Sequence, residues 1–297
     1  MNPAFSDLLL SQRTRQQSED FTARPANALL ISGSSGSGKS NLAHALASRL
    51  LETDSDRLAI HPHFHVISKP ETKSEIPIES VRGLLKKMEL RVASSSNSKI
   101  NRVAIIENAH FLSTEAQNAL LKLLEEPPLN SMIILTAYND ESLLPTVTSR
   151  TQNINITPPS LVQAVEYFDN YPRIEVERAY RLSRGSTSLL EALLSDKDEH
   201  SLKIGVNQAK AFIAADTYSR LIQLQTITKD RQDFLIFLDA LARVLSALNE
   251  ESLKNRRHVA AARILESRKS VELAFSQASV NTNIRLIALR LVQNTKI

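Results

Sequence analysis

The sequence predicts an α/β protein with a parallel sheet carrying a phosphate loop, followed by helical parts. Three observations predict it. Residues 33 to 40 read Gly33-Ser34-Ser35-Gly36-Ser37-Gly38-Lys39-Ser40, a complete G-x-x-x-x-G-K-[ST] pattern with an apolar run before it and helix-forming residues after it. The first half of the chain alternates short apolar runs with helical periodicity, as βαβ units do. Beyond residue 160 the apolar residues keep helical spacing and strand-like alternation disappears.

The elements follow in order. Ala28-Leu29-Leu30-Ile31 reads as a buried parallel strand. In the loop after it, Gly33, Gly36 and Gly38 let the backbone turn tightly, so that N–H groups converge on phosphate oxygens. Lys39 is expected to reach the β- and γ-phosphates and the Ser40 hydroxyl to ligate Mg²⁺. A helix starts at Ser40, its N-terminus facing the anion. The pattern therefore points to a nucleoside triphosphate with Mg²⁺, without saying which reaction follows.

Phe64-His65-Val66-Ile67 forms the second expected strand, and His61, His63 and His65 would share one of its faces. A polar connection runs from Ser68 to Glu75. Ile78, Val81, Leu84, Leu85 and Met88 mark an amphipathic helix. Ser94 to Ser98 is a surface loop, and Val103 to Ile106 a third strand. Thr114 with Gln117 reads as a capping box opening a helix that carries Ala116, Ala119, Leu120, Leu123 and Leu124 on one face. Pro127-Pro128 ends that helix. Met132 to Leu135 is a fourth strand. Thr157-Pro158-Pro159-Ser160 marks a domain boundary, with Ser160 capping a new helix. A small helical unit breaks at Arg184-Gly185-Ser186, and helices continue from about 205 to 294, as in Phe234, Phe237, Leu238, Leu241, Leu245 and Leu248.

Composition narrows the function classes. The chain has 297 residues, 42% hydrophobic and 23% charged, as in ordinary globular proteins. Cysteine is absent, which excludes disulfides, thiolate zinc sites and cysteine nucleophiles. No run approaches the roughly 18 apolar residues of a membrane span. The N-terminus has no basic stretch leading into an apolar core, so a cytoplasmic location is expected. The net charge of +4 is mild, and with tryptophan absent and aromatics at 5%, base-stacking platforms are not expected.

A P-loop nucleotidase also needs an acid at the end of a neighbouring strand to hold Mg²⁺, and commonly a following Glu to orient the attacking water. The strand Val103 to Ile106 runs into Glu107-Asn108-Ala109-His110. Glu107 takes the metal-side position. Asn108 takes the water-activating position, where a neutral amide cannot accept a proton as a carboxylate does. Losing a general base costs about 10²–10⁴-fold in rate, so bound nucleotide is expected to be hydrolysed poorly.

Five segments carry a family resemblance: Asn118-Ala119-Leu120-Leu121-Lys122-Leu123-Leu124-Glu125-Glu126-Pro127-Pro128, Ser149-Arg150-Thr151, His61-Pro62-His63, Ile76 to Arg82, and Ala278 to Leu286. Together they resemble the delta-prime family of clamp-loader subunits of bacterial DNA polymerase III, within the AAA+ proteins. The likeness is strong over residues 25 to 155, moderate at 278 to 292 and weak between.

The resemblance implies an AAA+ core at 1–157, a helical lid at 158–203 and a helical collar at 204–297. It implies a ring with gamma/tau-like and delta subunits that opens the sliding clamp and places it on primed DNA. It makes Arg150 an arginine finger, inserted into an adjacent subunit's ATP site. The chain also departs from the family. The four-cysteine zinc module has no counterpart at Leu51 to Ile60, so zinc is not expected, nor is metal at the three histidines. Ser188 stands roughly where motor subunits carry a sensor arginine, with Arg184 as candidate substitute, and the other sensor falls among Thr136 to Asn139. Lys86, Lys87, Arg91 and Lys122 are candidate DNA contacts. The phosphate loop is intact, unlike many delta-prime chains, which keeps open an active motor subunit of the same loader. A free-standing P-loop NTPase or kinase is the remaining alternative, and the helix signature and Ser149-Arg150 count against it.

Overall fold

The computed structural model describes residues 5–70, 73–89, 100–195, 201–279 and 282–295. The expected loop at Ser94 to Ser98, Arg91, and Val280-Asn281 of the C-terminal segment lie outside them. The chain divides into two units: residues up to Tyr167 together with Gly185–Thr187, and Phe168–Arg184 together with Ser188 onward.

The first unit is a parallel α/β layer structure. Its helices are α1 (Gln12–Ala23), α2 (Lys39–Leu50), α3 (Ser55–Leu58), α4 (Ile78–Glu89), α5 (Thr114–Glu125), α6 (Pro145–Thr148) and α7 (Leu161–Tyr167). Its strands are β1 (Ala28–Ser32), β2 (Phe64–Ile67), β3 (Arg102–Ile106), β4 (Ser131–Ala137) and β5 (Gln152–Asn155), ordered β2-β3-β4-β1-β5. All pairings are parallel, with Leu30 opposite Leu135 and Ile31 opposite Ile154. Every residue of β1, β3 and β4 is buried, as a sheet covered on both faces requires. The strand period of two sorts their side chains. Leu29, Ile31, Val103, Ile105, Met132 and Ile134 join Phe21 and Leu42 in one core, while Leu30, Ala104, Ile106, Ile133 and Leu135 join Val81 and Leu120 in the other.

All four expected strands form. β5 has no apolar run to announce it, because only Ile154 is buried and Gln152, Asn153 and Asn155 are exposed. α1 is equally polar; Phe21 is its one large buried side chain, and Ser11 caps it by accepting from the Thr14 N–H at 3.2 Å. Two local expectations are corrected. The N-cap of α5 is Ser113, which accepts from the Ala116 N–H at 3.2 Å, so Thr114 and Gln117 form no capping box. Gln117 is buried instead, donating to the Leu112 carbonyl at 3.3 Å and accepting from the Leu144 N–H at 2.8 Å. β2 begins at Phe64, which leaves His61 and His63 in the preceding turn and only His65 on the strand. By contrast, Ser160 does cap α7, in a reciprocal pair with Gln163 at 3.2 and 2.8 Å.

The second unit is helical throughout its described residues: α8 (Arg173–Ser183), α9 (Thr187–Leu194, from Ser188 on), α10 (Ser201–Ala214), α11 (Thr217–Ile227), α12 (Arg231–Lys254), α13 (His258–Ala278) and α14 (Ile284–Asn294). Phe212, Phe234, Phe237, Leu238, Leu241 and Leu245 are fully buried at its centre, and Leu248 packs against them partly buried. Arg220 is buried among them and uses its guanidinium as a staple. It donates to the carbonyls of Phe212 at 2.9 Å, Ile213 at 3.0 Å and Thr295 at 2.8 Å, and so ties the ends of α10 and α14 to α11.

Candidate functional site

Residues 33 to 38 connect β1 to α2. The Gly33 N–H donates to the carbonyls of Ala137 and Tyr138 at 3.3 and 3.2 Å, tying the loop to the end of β4. A Cβ at Gly33 would lie 2.9 Å from Ser37 Oγ and 3.3 Å from Ile156 Cβ, so a side chain there would require Ser37 to rotate and Ile156 to give slightly. Gly36 and Gly38 have φ of 72° and 89°, the left-handed region that glycine enters freely. Gly38 is the N-cap of α2, no side chain caps the first turn and no acid sits in it. That leaves unpaired N–H groups and the positive end of the helix dipole facing the loop.

Lys39 is buried, and its Nζ donates to the carbonyls of Gly33 and Ser34, each at 2.7 Å. Burial lowers its pKa from 10.5 to about 8. The Ser37 hydroxyl is buried in the same loop without a hydrogen-bond partner among the described residues. Ser186 and Thr187 also reach the loop, their hydroxyls donating to the Gly36 carbonyl at 3.2 and 3.4 Å. The turn before them is set by Gly185 at φ 85°, packed against Pro158.

Glu107 directly follows β3, its N–H donating to the Ile67 carbonyl at 2.9 Å. His44, one turn along α2 from Ser40, joins the two walls. Its Nδ1 lies 2.8 Å from the Ser40 carbonyl and therefore carries the proton, and it stands 3.9 Å from Glu107 Oε1. The fold thus brings Lys39, Ser40 and Glu107 to the C-terminal edge of the sheet, after β1 and β3; β4 stands between these two strands, so the acid is not on the adjacent strand as expected. A hydroxyl and a carboxylate, hard oxygen donors that leave the other positions to water and phosphate, suit Mg²⁺.

Asn108 is exposed with φ 51°, and its N–H donates to Thr136 Oγ1 at 2.8 Å. Thr136 is buried at the end of β4, one of the positions where a sensor was expected. His110 follows, with Nδ1 buried and without a partner among the described residues; burial and the nearby Lys39 charge hold its pKa below the usual value. Sequence reasoning did not single out His44 or His110. The helical spacing of His44 from Ser40 was the available signal for the first. Arg184, the candidate sensor, is the C-cap of α8, and its Nη1 donates to Ser246 Oγ at 3.2 Å.

Arg150 sits apart from this cluster in sequence, in the turn between α6 and β5, and is exposed. Its Nη1 donates to the Thr146 carbonyl at 2.9 Å, with Ser149 Oγ at 3.4 Å, and its Nη2 meets Glu125 Oε1 at 2.8 Å. Of the candidate DNA contacts, Lys86 and Lys87 are exposed on α4, and Lys122 on α5 pairs with Glu89 at 3.7 Å. Among the described residues no group of three or more His, Cys, Asp or Glu side chains is placed to hold a metal ion, and none of their helices is long and apolar enough to cross a membrane.

A complete phosphate loop on a five-stranded parallel sheet, with an acid after β3 and β4 standing between β3 and the loop strand β1, defines a P-loop protein of the AAA+ class. A family model described as DNA polymerase III, delta subunit, matches residues 12–160, half of the chain, and the chain belongs to that family. The DNA polymerase III subunit delta′ of Haemophilus influenzae is 32% identical over 162 residues, covering 50% of this chain and 48% of that protein. The delta′ subunit of Escherichia coli K12 is 26% identical over 243 residues, covering 75% of this chain and 69% of that one. The chain spans about half the length of the first relatives it matches. A crystal structure of a DNA polymerase III, gamma subunit-related protein from Thermotoga maritima has the same fold, with a TM-score of 0.60 at 16% identity, covering 96% of this chain and all of that one.

Proposed function

We propose that this chain is a clamp-loader subunit of a replicative DNA polymerase, acting in a ring with gamma/tau-like and delta subunits that places a sliding clamp on primed DNA. Within that ring it binds ATP or ADP through Gly33 to Ser40 and lends Arg150 to a neighbour's nucleotide. Three parts carry this out: the core at 1–157, a lid at 158–203 and a collar at 204–297.

The observation that carries the reading is the contrast between Arg150 and Asn108. Arg150 is exposed and held by side-chain and main-chain partners, a disposition suited to meeting a partner's phosphate. Asn108, exposed after β3, offers an amide where proton transfer needs a carboxylate. Ser40 and Glu107 would hold Mg²⁺, which would supply positive charge against the phosphates. Lys39 would pair with the same oxygens, and the uncapped start of α2 would hold the phosphates through its N–H groups. A guanidinium inserted in trans stabilises charge developing on the transferring phosphoryl group and is worth roughly 10³–10⁵ in rate.

The test is reconstitution with gamma/tau-like and delta partners, clamp and primed DNA. Arg150→Ala should lower clamp-stimulated ATP hydrolysis by the neighbour by about 10³-fold with ring assembly intact. Hydrolysis that survives the change removes the trans role. A second reading, an active motor subunit, is favoured by the intact loop; brisk ATP turnover by the isolated chain would establish it in place of the first.

A further inference from the structure

The helix signature at α5 ends in Glu125, and nothing about α5 itself asks for a carboxylate there. A negative charge on the last residue of a helix faces the negative end of the helix dipole. Glu125 nonetheless points its carboxylate at Arg150 Nη2, 2.8 Å away. The Thr146 carbonyl at 2.9 Å and Ser149 Oγ at 3.4 Å take the other amine, Nη1. A guanidinium has five N–H donors. These partners leave Nε–H and one Nη2–H of Arg150 unengaged among the described residues, enough for a bidentate contact with a phosphate.

We propose that Glu125 is a positioning residue for Arg150, fixing the guanidinium in the pose it presents to a neighbouring subunit. The inference rests on the trans role proposed above. Both side chains are partly exposed, at 37% and 50%, so the pair is weakly held in energetic terms. It is therefore too weak to keep Arg150 away from a triphosphate. Its effect is on geometry: a long, flexible side chain is held at two points, on α5 through Glu125 and on α6 through Thr146. An arginine free to swing spends most of its time away from the reacting phosphate, and misplacement by about 1 Å can cost 10²-fold in rate.

The test uses the full-length subunit in the reconstituted ring with ATP, clamp and primed DNA. Glu125→Ala and Glu125→Met should each lower the neighbour's kcat by about two- to fivefold, the most that a surface ion pair can hold, with KM for ATP unchanged. Glu125→Gln, which keeps an acceptor oxygen at the same reach, should recover most of the rate. In an Arg150→Ala background, Glu125→Ala should have no further effect. The melting temperature of each Glu125 variant should stay level or rise, since α5 loses an unfavourable terminal charge; a fall accompanying the rate loss would assign Glu125 to stability and overturn the inference. So would a Glu125→Ala ring with unchanged or raised turnover where Arg150→Ala alone is inactive. If Arg150→Ala itself leaves hydrolysis intact, the trans role and this inference fail together.

Discussion

Lys39 concentrates the chemistry of the site in one amine. Its position in the motif was legible from spacing, but its electrostatic state was not, because that depends on how deeply the loop closes over Nζ. Buried against two carbonyls, it titrates at about 8 in place of 10.5. Between those values the unfolded chain binds more protons than the folded one, so stability should rise with pH from about 8 toward 10.5. Triphosphate affinity should run the other way, since phosphate favours the charged amine. With metal chelated, ATP binding should hold steady below pH 8 and weaken above it, by up to about tenfold per pH unit. Calorimetric titration at pH 7, 8 and 9 reads this directly, and a constant affinity across that range contradicts it. Glu107 and Asn108 show the same limit of a sequence reading. Their roles follow from chain position, whereas the link from Glu107 to His44 and from Asn108 to Thr136 exists only once β3, β4 and α2 are side by side.

The elements that the sequence shows clearly are those whose side chains are sorted by burial. β1, β3 and β4 are continuous apolar runs because both faces are covered. β5 and α1 escape detection because the edge of the sheet asks for little apolar surface, and one buried Ile154 or Phe21 satisfies it. Gln117 misleads for a related reason: it sits three residues from Thr114, as a capping residue would, but is spent on bridging Leu112 to Leu144. The break between α8 and α9 is legible in Gly185, and its role is testable. Gly185 has φ 85°, and a Cβ there would lie 2.8 Å from Pro158 Cγ. Gly185→Ala combines left-handed strain with a contact the rigid proline ring cannot yield to, and should cost about 2 kcal/mol. Urea unfolding of the variant measures it; a loss under half that figure would mean the turn relaxes freely.

For the molecule as a whole, the parallel sheet and the all-helical second half were both readable. The sequence suggests three consecutive parts, a scheme drawn from prolines and a family pattern, and the contacts group the chain into two units with Gly185–Thr187 assigned to the first. On the proposed division of labour, this subunit's own nucleotide is peripheral to the ring's work. Lys39→Ala should abolish ATP binding by this chain, yet reduce clamp loading less than about threefold, a margin of under 1 kcal/mol. A severe loading defect would show that its pocket is coupled to the motor subunits. The detached tripeptide also bears on how this protein is dissected. A fragment stopped at residue 167 would carry the whole sheet and every residue of the G-x-x-x-x-G-K-[ST] pattern, yet would forfeit the two hydroxyls that brace the Gly36 carbonyl. Anyone wishing to express the front portion by itself must therefore run the gene past codon 187.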